Sequence, residues 1–156
     1  DGEMSMQEAM TRLNGVLPPD LQIKAVAQPI RKHTDIAYAE YAIALDCADE
    51  TVSADALRNA WDAFIAQPEI LVEKKTKRGS AEIDVKAQSQ ILMTQTLTDG
   101  LWLKLRTPAG TSVNVNPSLL LDAFRAWLPD HAPAVRTGMM HAERLAILCA
   151  DGSDFV

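Results

Sequence analysis

The segment Asp35–Cys47 constrains the rest of the chain. Ala37, Ala39, Tyr41, Ile43 and Leu45 alternate with Ile36, Tyr38, Glu40, Ala42 and Ala44. A side-chain period of two belongs to a β-strand. The first set is wholly apolar, so it must face a core, and a one-residue slip in pairing would turn it to water. A fold built on this strand needs other elements to cover that face.

Two helices are patterned for that task. Ser53 is placed to cap a helix over 54–67, with Leu57, Trp61, Phe64 and Ile65 on one stripe and Pro68 as its stop. Asn116-Pro117 opens another, because Asn caps and Pro is tolerated at the first helical position. Leu120, Ala123, Phe124 and Trp127 carry it to Pro129. Each stripe holds a Trp, so Trp61 and Trp127 are both expected to be largely buried against one face of a single sheet.

Further strands read out at 70–76, at 89–97 and 101–107 across the turn Thr98-Asp99-Gly100, at 134–143, and as a short piece at 145–149. In the 101–107 strand Leu101, Leu103 and Leu105 share one face, and Trp102, Lys104 and Arg106 the other. Near the start, Ser5 and Glu8 form a capping box for an N-terminal helix that Gly15 and Pro18-Pro19 end, and Leu21–Ala27 alternates as a strand. The expected class is α+β. The expected architecture is a ferredoxin-like split βαβ sheet with an inserted hairpin and an N-terminal helix, its strands being 35–47, 70–76, 101–107 and 135–140.

A chain of 156 residues, 47% of them hydrophobic, suits a single domain over 1–156 with a real core. It begins at Asp1 without an initiator Met, and reads as a fragment of a longer protein lacking its N-terminal portion. A formal net charge of −6 argues against a general nucleic-acid coat, which needs excess Lys and Arg. No apolar run approaches the ~20 residues of a membrane span. Cys47 and Cys149 form no disulfide framework, and a reducing cytoplasm is the simplest setting. His33, His131 and His141 are not spaced as metal ligands, and no phosphate loop, nucleophile elbow or paired-carboxylate site is present. No catalytic residue, metal site or cofactor is therefore assigned.

The most distinctive chemistry lies in Ile70–Val85. An apolar run leads into Lys74, Lys75, Lys77 and Arg78; Gly79 and Ser80 break it, and Ile83-Asp84-Val85 resumes. This is a strand, a basic turn and a returning strand. Its cations can track phosphates, or can simply guard a solvated edge against unwanted pairing. Lys86 and Arg136 are candidates to extend the same surface. Asp84 is expected in a structural ion pair across the hairpin with Lys75 or Lys77.

The order and spacing of several stretches resemble the radical-SAM-linked proteins of unknown function. The likeness runs from Leu13-Asn14 and Leu17-Pro18 through Ala39-Glu40-Tyr41, and is sharpest at Lys75-Thr76-Lys77-Arg78-Gly79 with Ile83-Asp84. It continues at Asn116-Pro117 and Val135-Arg136-Thr137, as the C-terminal two-thirds of the family domain. The resemblance implies a partner of a radical SAM protein, encoded beside it or fused to it. Members tend to place Arg-Pro where this chain has Lys86-Ala87, and Lys grips an anion less well than a bidentate Arg. The chain lacks the three closely spaced cysteines of a radical SAM enzyme. The expected function is a non-catalytic accessory domain that binds a partner protein, and RNA through the basic hairpin. The alternatives are an enzyme or enzyme subunit in RNA or small-molecule modification, and a purely structural docking module.

Overall fold

The computed structural model describes residues 4–76 and 79–155. They form two units, one up to Lys32 and one from His33 to Phe155.

In the first unit Ser5 Oγ accepts the Glu8 amide at 3.1 Å and opens helix α1 (Met6–Asn14). The other half of the capping box is not made. The Glu8 carboxylate turns forward to Arg12 at 2.7 Å, one helical turn on. The strand expected over Leu21–Ala27 does not form, because this unit offers no strand among the described residues to pair with it. Ile23 instead satisfies both backbone groups on the Asn14 side-chain amide, at 2.7 and 2.9 Å.

The second unit starts with a 3₁₀ turn at His33–Asp35 and enters strand β1 (Ile36–Cys47). Ser53 Oγ accepts the Ala56 amide at 3.1 Å and opens α2 (Ala54–Ile65), which buries Leu57, Ala60, Trp61 and Phe64. Strands β2 (Leu71–Thr76) and β3 (Gly79–Asp84) pair antiparallel as a two-stranded ribbon. A short helix α3 (Val85–Gln88), β4 (Gln90–Thr96), β5 (Gly100–Pro108), α4 (Ser118–His131) and β6 (Thr137–Cys149) follow. The main sheet has the order β4-β5-β1-β6, antiparallel throughout. The class is α+β. No helix among the described residues is long and apolar enough to cross a membrane.

The alternation in β1 acts as read: Ala39, Ile43 and Leu45 are buried and Tyr41 is half-buried. Register sets Tyr41, Ile43 and Leu45 opposite Leu105, Leu103 and Leu101, so the apolar faces of β1 and β5 are one surface. The second strand of the expected sheet is a correction. Residues 70–76 do not enter it; β4 takes the place beside β5, to which it is joined by a tight turn, while β2 closes on β3. The pieces expected at 134–143 and 145–149 are one strand of 13 residues whose register against β1 shifts at several points.

Above this surface Trp61, 1% exposed, meets Phe124 edge-on, with ring centroids 5.2 Å apart and planes at 90°. Phe64 lies 5.2 Å from Phe124, which brings both helices to the same sheet face. Trp127 packs against the same core and is less deeply buried than Trp61. Phe124 holds the central position, and Trp127 stacks on His131 at 4.3 Å. Gly100 follows Asp99 as in a tight hairpin turn, yet what it answers is crowding: a Cβ there would lie 2.3 Å from the Leu45 carbonyl oxygen.

Phe124→Ala is expected to cost about 3–5 kcal/mol of unfolding free energy, and Trp127→Ala distinctly less. Urea denaturation of the two variants checks the ranking; equal losses would show that the core is not centred on Phe124.

Candidate functional site

The ribbon places the expected basic residues in unlike settings. Lys75 is exposed and stands opposite Ser80, whereas Lys77 and Arg78 lie outside the described residues. Lys74 is half-buried and donates Nζ to the carbonyl of Asn114, in the loop between β5 and α4. Lys86 likewise donates to the carbonyl of Gln67, just past α2. These two ammonium groups tie the ribbon to the body, and Val72 and Ile83 pack on the core beneath it. Glu73 stands directly opposite Glu82, so the exposed ribbon face carries acids beside Lys75.

Arg136 does not join this surface. It pairs with Asp49 at 3.2 Å ahead of α2, whereas Lys86 is bonded beyond the other end of that helix. Twelve helical residues separate the two by roughly 18 Å. Asp84 does not meet Lys75, while its other expected partner, Lys77, lies outside the described residues. Register sets it opposite Leu71, four positions along from Lys75. Its carboxylate accepts the amides of Ile70 and Lys86, each at 3.0 Å, and caps α3. The Ile70 amide is the main reason that its pKa falls below the usual carboxylate value.

The sheet face opposite the helices carries a cluster outside the expected set. Glu40, 8% exposed, accepts from Arg106 at 2.6 Å and pairs with Lys104 at 2.8 Å. Arg106 is its direct cross-strand neighbour and Lys104 the diagonal one. Hydrogen bonds from Lys104 and then Arg106 hold the Glu40 pKa below its usual value, against the opposing effect of burial. Alongside, Ala42 and Ala44 floor a shallow hollow of about 370 Å³ walled by Trp102, His141 and Glu143. The sequence had placed Glu40, Lys104 and Arg106 on water-facing sides of their strands; only the β1–β5 pairing brings them together.

At the end of β1, Asp46, Asp49, Asp55 and Asp99 line a larger cavity of about 660 Å³ with Cys47. Burial, then Asp99, Asp46 and Asp49, push the Cys47 thiol up, so it stays protonated and is a poor nucleophile. Among the described residues no three His, Cys, Asp or Glu converge as metal ligands.

The family model DUF2344, an uncharacterized protein conserved in bacteria, matches residues 1–117. The chain belongs to DUF2344. No curated protein and no solved structure matches it. The DUF2344 match takes in the β2–β3 ribbon and all of the Glu40 cluster, and ends as α4 begins.

Glu40→Ala should cost about 1–3 kcal/mol, between the values for exposed and buried ion pairs, since its cations are about one-third exposed. The depressed Glu40 pKa also has a sign. Its contribution is present above the unfolded-state carboxylate pKa and disappears as pH falls through the lower folded value. Urea midpoints of parent and variant should therefore converge in acid; a gap constant with pH would sink this account. Asp84→Ala should lose about 1 kcal/mol as a lost cap, while Lys75→Ala stays within about 0.5 kcal/mol. Matching losses would restore the ion pair.

Proposed function

We propose that this DUF2344 chain is a non-catalytic accessory module that docks on a partner protein. The partner is the cytoplasmic radical SAM protein implied by the resemblance at Lys75-Thr76-Lys77-Arg78-Gly79 and Ile83-Asp84. The observation that carries the reading is the helix-free face of the main sheet. There a half-buried Trp102 and the exposed Met93 flank a cluster in which the Glu40 carboxylate holds both Lys104 and Arg106. Aromatic and Met side chains beside cations already held in ion pairs suit a protein interface better than a polyanion. The basic surface supports RNA less well, because Lys74, Lys86 and Arg136 are engaged by Asn114, Gln67 and Asp49. RNA binding is left to Lys75, Lys77 and Arg78, and would be steeply salt-dependent.

The test is quantitative capture of the radical SAM protein by the full chain, with RNA in the eluate measured. Trp102→Ala is expected to weaken capture about tenfold or more, as for a central interface aromatic. Replacing Lys75, Lys77 and Arg78 by Ala should leave capture intact. Capture lost with the three cations and kept by Trp102→Ala would move the interface to the hairpin.

A further inference from the structure

Strand β6 lies at the edge of the main sheet, with β1 on one side and no described strand on the other. Both its ends are covered. Arg125 donates to the Gly138 carbonyl and the Thr137 hydroxyl, each at 3.1 Å. At the far end the Phe155 amide donates to the Ile147 carbonyl at 2.8 Å, and Leu148 bridges Asp154. Between these covers His141–Leu145 are all exposed, and Met139 is 65% exposed. This stretch holds neither Lys nor Pro, the residues that most often blunt an edge. The other edge differs. On β4, Arg58 donates to the Thr94 carbonyl at 3.1 Å in mid-strand, and the register breaks between Ile91 and Met93.

We propose that a second copy of this chain pairs antiparallel with β6 across this window, centred on Ala142, and joins the two main sheets into one of eight strands. A two-fold axis perpendicular to the sheet makes such a contact self-complementary and closed. Between its register shifts β6 runs unbroken against β1 from Met140 to Arg144, and the middle of that straight segment is Ala142. Centring there sets His141 opposite Glu143 of the second copy, and Met139 opposite its Leu145, each twice by symmetry. His141 and Glu143 line one hollow with Ala42 and Ala44, so both side chains stand on the same face and meet across the contact. Moving the centre to Glu143 would oppose two like charges. Moving it to His141 would oppose Glu143 to Met139 and Leu145 to Thr137. Of these three registers only the one about Ala142 sets the His141 imidazole beside the Glu143 carboxylate and Met139 beside Leu145; on the other sheet face it sets Met140 opposite Arg144.

The test uses the full chain in sedimentation velocity and in mild oxidation of cysteine variants. A concentration-dependent dimer is expected. Glu143→Arg should weaken it about tenfold, and adding His141→Glu should restore it. Ala142→Cys should form a covalent dimer, because directly opposite residues lie within disulfide reach. Glu143→Cys should not, since it is offset from its own copy by two residues, beyond about 7 Å. Residue 142 is exposed, so the substitution leaves the fold intact. A monomer at every concentration, a dimer indifferent to the charge reversal, or equal cross-linking of the two cysteine variants would each overturn the proposal. The partner-docking reading stands or falls separately, because its readout is capture by the other sheet residue, Trp102.

Discussion

Burial of one face of β1 beneath Trp61, Phe64 and Phe124 is the contact on which the rest of the second unit depends. β1 pairs on both sides, with β5 and with β6, and its register against β5 aligns the apolar sets of the two strands. The aromatic rings of α2 and α4 then close over a surface that no single strand could offer. Phe124, fully buried, touches both Trp61 and Phe64, which is how two helices far apart in sequence share one core.

Much of this was legible from local chemistry. The alternation in β1 and β5, and the hydroxyl caps of Ser5 and Ser53, depend on neighbours a few residues away, and they appear as read, although Glu8 does not complete its half of the box at Ser5. Pairing was harder. Nothing local distinguishes β2 from β4 as the strand beside β5, since both follow α2 and both have strand-forming residues. Chain proximity across a short turn decided it. The same limit hid the Glu40 cluster. Glu40 and Arg106 are individually unremarkable water-facing residues until β1 and β5 are set in register. Asp84 illustrates the reverse case, where a charge next to lysines suggested an ion pair that register denies to Lys75. Backbone amides of Ile70 and Lys86, invisible to a charge pattern, are its actual partners.

The basic character of the hairpin also changes meaning once the ribbon is folded. A run of cations in sequence suggests a single patch, but strand geometry sends alternate side chains to opposite faces. Lys74 is thereby turned toward Asn114 and Lys75 toward solvent. A charge count along the chain therefore overstates the charge available to a ligand, and the side-chain period says by how much.

The Glu40 cluster has an uneven architecture: one carboxylate and two cations on neighbouring rungs. Loss of either cation leaves the acid still neutralised by the other. Loss of the acid leaves two positive groups side by side. The three positions are thus unequal under mutational drift. Lys104 and Arg106 back one another up, and each can vary while the other remains. Glu40 has no substitute within the cluster, and the pairing of both cations rests on that one residue.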